Sequence, residues 1–522
     1  MTTQFLWRLP RCPVAMVRSA AFRKLLRREA QVALCMLVTL GQGAFSQGRN
    51  NLWLGGYDNF AAPPWGGVDL AFGSGSLVIS TAFRQINYKR TNANITDNDG
   101  NLLFSTNGAI VGNALGDTML NGGGLSPSPY TDLYPGGPHL LQAALIVPKP
   151  ESDGTYYIFH GSVDQLQEFY AEKLLYTIVD TQLDNGLGGI TAKNQVALDS
   201  LLIVGKLTAV RHANGRDWWV LCHAYDSSRF YRMLITPEGI DALQFQTIGI
   251  NRTSAWGQVC FSPDGGRLAY ASPRSGEGLE IFDFDRCTGL LNNPIFLPQP
   301  MDFGAGGTAF SPNGRYLYTT LAEHVYQYDT QAADIAASAI HIAQWDGFYS
   351  PSPPFATMFD IAQLAPDGKI YISTGNGTLH LHVIHDPDSA GLGCNIEQHG
   401  IELPRYFTNS LPNHPNYHLG PVDGSVCDSL GIDSQVSEQE LANALRVYPN
   451  PSNGAFNLGY VAQAQAGVLE VLDARGRVAL QERLPAWSTT RHVQLQAAPG
   501  MYHCRLRWGA RSVSTRVILT EP

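Results

Sequence analysis

A dipeptide of Asp or Asn followed by Gly recurs along the middle of the chain, at Asp99-Gly100, Asp153-Gly154, Asn214-Gly215, Asp264-Gly265, Asn313-Gly314 and Asp367-Gly368. Successive turns lie 54, 61, 50, 49 and 54 residues apart. These residue pairs tolerate the positive φ angles of a tight reversal, so each marks a hairpin between two strands. The last three share a lead-in, Phe261-Ser262-Pro263, Phe310-Ser311-Pro312 and Leu364-Ala365-Pro366, and each is followed by an apolar strand such as Tyr316-Leu317-Tyr318. Two further strands fit each period, for instance Leu279 to Phe284 and Val325 to Tyr328. Four strands per repeat over six or more repeats predict a β-propeller. The segment 52–81 supplies part of another blade, which favours seven blades with the ring closed by strands from both ends. A solenoid is the alternative, although its repeats are usually shorter than about 50 residues. The 53 glycines, 31 prolines and only 15% charged residues suit short strands and tight turns rather than helices.

Charge divides the chain into three parts. Residues 1–46 carry seven basic residues and one acid, and residues 445–522 carry nine arginines and four acids. The total of −9 therefore leaves about −20 in the body, 47–444. An acidic body of that size repels polyphosphate and argues against a nucleic-acid partner. At the start, Arg23, Lys24, Arg27 and Arg28 precede the apolar run Ala30 to Leu40, and Ala44-Phe45-Ser46 places small residues before Gln47. This is the pattern of a signal peptide, 1–46, cleaved between Ser46 and Gln47. An eleven-residue run reaches only about half a bilayer core, so no integral membrane segment is expected after its removal. Export permits disulfides. Cys394 and Cys427, which flank the end of the body, are the pair expected to join.

The runs Gln142 to Pro148, Tyr156 to Phe159, Lys206 to Gly215, Phe282 to Gly289, Leu364 to Ile372 and Leu411-Pro412-Asn413-His414-Pro415-Asn416-Tyr417 resemble a family of exported Bacteroidetes proteins. The resemblance spans about residues 50 to 430 and implies a propeller-like body and an exported destination, not a chemistry. A polar linker, 429–444, follows. The last part, 445–522, opens with Tyr448-Pro449-Asn450-Pro451-Ser452-Asn453-Gly454 and continues through strands separated by turns at Ala474 to Gly476 and Pro499-Gly500, the pattern of a small β-sandwich. The opening motif, the Asp473 to Arg477 turn, Pro499-Gly500-Met501-Tyr502 and the closing Thr515 to Leu519 resemble the type A sorting domain of the type IX secretion system. That resemblance implies handling by the translocon and its sortase, with release or attachment at the cell surface. The domains expected are therefore 1–46, 47–428, 429–444 and 445–522.

No H-E-x-x-H, G-x-S-x-G or G-x-x-x-x-G-K-[ST] motif is present, and no catalytic residue or cofactor is expected. His380, His382 and His385 form H-x-H-x-x-H, and the first two share a strand face that, with His414 or His418, has the makings of a transition-metal site. Solvated imidazoles on a strand edge explain the spacing more simply. Asp97-Asn98-Asp99-Gly100-Asn101 has the oxygen-rich spacing of a partial calcium loop and equally that of a hairpin turn. The insert Asn107 to His139 and the run Trp345-Asp346-Gly347-Phe348-Tyr349 are aromatic and Gly-rich, as surfaces that stack on sugar rings or peptides are. The reading favoured is a secreted or surface-displayed module that binds a glycan or protein. A secreted hydrolase or lyase on the same scaffold and a structural part of a gliding or adhesion apparatus are the alternatives.

Overall fold

The computed structural model describes residues 48–72, 77–167, 169–241, 243–299, 305–428, 441–442 and 444–520. The expected signal segment and its cleavage point at Ser46 and Gln47 lie outside the described residues, as does most of the 429–444 linker.

Seven sheets follow one another along the chain: I (52–82), II (93–123), III (144–203), IV (208–252), V (259–297), VI (305–344) and VII (359–407). Sheet I has three strands, sheet IV five and the others four. II and III also meet at their outer edges, where Leu120 pairs in parallel with Gly189. All six Asx-Gly turns join the first and second strands of sheets II to VII. Their glycines hold φ between 71° and 88°, where a side chain would be strained. In two of them a serine completes the turn: Ser262 Oγ donates to Asp264 and accepts from the Arg267 N–H, and Ser311 repeats this with Asn313 and Tyr316. We call the end of the ring that bears these turns the lower face.

The first strand of each sheet packs against the first strand of the next, and all three strands of sheet I pack on Ile396–Phe407, the last strand of VII. The result is a seven-bladed β-propeller. Apolar residues fill the spaces between neighbouring sheets. Trp53 and Phe72 of sheet I meet Tyr371 of VII, with ring centroids 4.9–5.9 Å apart, and Phe230 of IV packs on Tyr270 and Phe282 of V.

Closure differs from the expected pairing of strands from both ends. Sheet I consists of N-terminal strands alone, and a C-terminal strap, residues 408–421, runs down the axis without strand pairing. The strap passes from Ser410, which shares the Asn92 amide with Leu54, to His418, bonded to Asn50 below the first strand. The first strand of every blade leaves one edge of backbone N–H and C=O groups facing the axis, and such groups need partners. Side-chain amides supply them. Asn413 Nδ2 donates to Ala144 O and Leu207 O at 3.0 and 2.9 Å, and its Oδ1 accepts from Gln142. Gln142 in turn bonds both backbone groups of Val259, while Gln258 ties Thr308 of sheet VI to Ala362 of VII. Tyr417 OH donates to Ile146 O, and Asn416 Nδ2 to Pro263 O. At the lower exit, the Arg286 guanidinium gathers the carbonyls of Arg211, His212, Asp264 and Gly420, which anchors the strap to sheets IV and V.

The expected Cys394–Cys427 disulfide is corrected. Cys427 joins Cys287, with Cα atoms 5.6 Å apart. The turn after Leu279–Asp285 presents Cys287 where the strap leaves the ring, next to Arg286, whereas Cys394 is a buried free thiol in the core shared by Tyr318 and Ile384.

The C-terminal part is a two-sheet sandwich. Arg446–Tyr448, Ala455–Gly459 and Thr490–Gln494 face a sheet of Gly467–Leu472, Val478–Leu484, Gly500–Trp508 and Arg511–Leu519. Phe456, Leu469, Val493 and Leu506 lie in its core. The opening motif is bound to the final strand: Asn450 accepts from the Ile518 N–H and donates to Arg516 O, and the Ser452 N–H donates to Ile518 O. No helix among the described residues is long and apolar enough to cross a membrane.

Two stability outcomes follow from the closure. Asn413→Ala strands three carbonyl or amide partners and is expected to cost about 2–4 kcal/mol in urea unfolding. Cys287→Ser frees a loop of 140 residues and should cost about 4–5 kcal/mol, with wild type matching it only under reductant.

Candidate functional site

At the upper face the loops that lead into the first strands converge. The loop before Ala93–Thr96 carries Arg90, whose guanidinium lies over the Trp256 ring at 4.6 Å. Trp256 precedes Val259–Phe261 and is 46% exposed. The second residue of Phe359–Leu364 is Asp360, only 6% exposed. Its carboxylate accepts from Asn409 Nδ2 at 2.9 Å, at the start of the strap. Thr408 donates to Lys89 O and so fixes this part of the strap beside Arg90.

Burial raises the Asp360 pKa to about 6, against the opposing pull of Arg90 and the Asn409 bond. Burial likewise lowers the Arg90 pKa, and Asp360 opposes it. Asn409 Oδ1 is buried without a hydrogen-bond partner, an acceptor aimed at nothing in the protein. An exposed indole stacked on a fixed cation therefore lies next to a buried carboxyl whose pKa is raised to about 6 and the buried amide that holds it.

The aromatic insert 107–139 reaches the same face. Ser128 caps its five-residue helix, Pro129–Leu133, and Tyr134 packs between Tyr130 and His139 at 4.8 and 4.6 Å. His139 is held below its ordinary pKa by burial and by the nearby Lys89 and Arg90 charges. The run Trp345 to Tyr349 is also on the upper side, before the first strand of VII; there Phe348 stacks on His399 at 4.2 Å.

The predicted histidines are not brought together. His380 bonds Ser350 and packs edge-on to Phe348. His382 is fully buried, accepts from the His399 N–H through Nδ1, and is driven down to a pKa of about 3 by burial. His385 pairs with Glu397 at 2.8 Å. His414 and His418 belong to the strap, where they bond Asn94 O and Asn50. Among the described residues no group of three or more His, Cys, Asp or Glu is placed to hold a metal ion. The Asp97 carboxylate is taken up by its own hairpin, accepting from the N–H groups of Asp99 and Asn101 and from Asn101 Nδ2.

A second ionisable cluster lies between sheets IV and V, fully enclosed. Arg252 pairs with Glu280 at 2.9 Å, Lys206 donates to Ala271 O, and both cations lie over the Tyr270 ring. Burial holds the Lys206 amine well below its ordinary pKa. With no opening to solvent, this cluster joins the two sheets.

Residues 446–520 match the family model of the secretion system C-terminal sorting domain. The tail is a sorting domain. The chain is accordingly secreted or attached at the outer-membrane surface. No curated protein sequence matches it. Among solved structures it is similar to a putative 6-phosphogluconolactonase from Bacteroides uniformis, at 14% identity over 70% of this chain and 98% of that one, with a TM-score of 0.42. A functionally unknown protein from Desulfotomaculum acetoxidans matches at 12% identity over 70% and 99%, TM-score 0.36. A gluconolactonase from Xanthomonas campestris matches at 11% over 64% and 96%, TM-score 0.28.

The Asp360 carboxyl sets a pH dependence. It takes up its proton at higher pH when folded (about 6) than when unfolded (3.8). The folded state therefore binds more protons between these values, and stability falls as pH rises through that window. The loss is complete above pH 6, at about 3 kcal/mol. Asp360→Asn should flatten this decline, as read from unfolding midpoints at pH 4.5 and 7.5.

Proposed function

We propose that the propeller is a binding module, displayed or released outside the cell, that takes a carbohydrate at its upper mouth. The observation that carries this reading is the exposed Trp256 indole stacked on Arg90, with the Asp360 carboxyl, held by Asn409, close to the same guanidinium. A sugar ring offers an apolar face suited to the Trp256 indole, and hydroxyls suited to the guanidinium beside it. The aromatic insert supplies further stacking surface beside Arg90.

Export in this reading begins with removal of residues 1–46 between Ser46 and Gln47. It continues with recognition of the sorting domain by the type IX translocon and its sortase. The body 47–428 is the delivered module, and 429–444 links it to the tag. A hydrolase acting at the same mouth is the second reading, favoured by the raised pKa of Asp360 in a convergent polar site.

The test is a glycan array probed with the full chain. A bound glycan should lose at least tenfold in affinity with Trp256→Ala at an unchanged melting temperature. Binding that Trp256→Ala leaves intact, or an array with no bound glycan, overturns the carbohydrate reading. Product release that Asp360→Asn abolishes while binding survives assigns the site to the hydrolase.

A further inference from the structure

Below the amide layer the axis of the ring opens into a cavity of about 100 Å³, walled by Cys260, Phe261, Phe310, Leu364 and the strap. One of its walls is not part of the propeller. Trp487, from the sorting-domain loop between Val478–Leu484 and Thr490–Gln494, borders the cavity and packs on the propeller core around Val210, Phe284 and Leu419. Its backbone holds φ at 60°, a conformation that costs a bulky residue free energy and persists only where surroundings fix it. The Trp487 N–H bonds Gln463 O, and the Thr489 N–H donates to Pro366 O of the sheet VII turn at 3.0 Å. Pro485 sits on Gly368 so closely that a Cβ there would lie 2.6 Å from the ring. Charge adds to the fit: Arg483 pairs with Asp388 at 2.9 Å and Arg446 with Asp99 at 3.4 Å, a basic tail against an acidic body.

We propose that the sorting domain has a second role as a cap: its 485–489 loop plugs the lower mouth of the propeller with Trp487 and keeps the cavity behind it closed for as long as the domain stays attached. The loop reads features that exist together only in a finished ring. It touches the Pro366 carbonyl and Gly368 of the sheet VII turn, Asn51 before sheet I, and the core of sheets IV and V. The cap is independent of the upper-face site and of what binds there.

Cys260 reports on the seal. It borders the cavity and is partly open to it, whereas the other free thiols among the described residues, Cys222, Cys394 and Cys504, are buried. The experiment compares the full wild-type chain with Gly368→Asn. Asn tolerates the left-handed backbone at this turn (φ 78°), and the nearest atoms to its Cβ are those of the Pro485 ring. Two readings are taken: the rate at which ethylmercury labels Cys260, located by peptide mass, and the hydrogen exchange of the Thr489 amide. The cap predicts slow labelling and a protected amide in wild type, and both at least tenfold faster in the variant. Amides of Gly500–Trp508 should remain protected, showing that the sorting domain is still folded. Trp487→Gly, which removes the plug and relaxes its backbone, should reproduce the result. A wild-type Thr489 amide that exchanges freely overturns the proposal. So does a variant in which Thr489 is released while Cys260 stays closed, and so does one in which neither rate changes.

Discussion

Everything in the propeller depends on how the axis-facing edges of its first strands find hydrogen-bond partners. Seven sheets arranged about an axis leave seven such edges, and the channel between them is too narrow for bulk water to serve them all. The chain solves this with primary amides. A side-chain amide carries the same donor and acceptor as a peptide group, so Gln142 substitutes for missing strand pairing at one edge, and Gln258 and Asn413 at two each. Buried amides stabilise most where their atoms are satisfied. That condition explains why the strap is fixed at successive levels by Asn413, His414, Asn416 and Tyr417 instead of lying loosely in the bore.

This same closure divides the molecule into two faces with different duties. The lower face holds the regular turns, the Arg286 anchor, the Cys287–Cys427 bridge and the docked sorting domain. Its parts are bound to one another and leave little freedom to vary. The upper face holds the irregular connections, including the insert 107–139 and the run before sheet VII. Loops anchored on a rigid scaffold can change without loss of the core, and that is where exposed aromatic and ionisable groups accumulate.

The fold was legible because its signal is local. Each Asx-Gly pair specifies its own hairpin within four residues, and the spacing carries the count of six of the seven sheets. The sorting domain was legible for the same reason, since Asn450, Ser452 and Asp473 make bonds dictated by neighbouring residues or by the strand they face. What was not legible depends on distance along the chain. Arg90, Trp256, Asp360 and Asn409 come from four separate parts of the chain, and no periodicity links an Arg before sheet II to a Trp before sheet V. The disulfide failed likewise: proximity to the end of the body pointed to Cys394, but the partner is set by where the strap leaves the axis, 140 residues from Cys287. The histidine run misled because alternation on a strand says which residues share a face, not whether that face is buried, and His382 lies wholly inside.

The runs by which the body resembles an exported family acquire a physical meaning from this geometry. Lys206 bridges sheets IV and V, Arg286 and Cys287 hold the strap where it leaves the ring, and Asn413 to Tyr417 fill the bore. Each of these residues serves ring closure, and none lies in the group around Trp256. A sequence signature built on them therefore tracks the scaffold and is silent about the ligand. Function has to be sought instead in the upper connections, where the signature stops, because those side chains are the ones that closure leaves uncommitted.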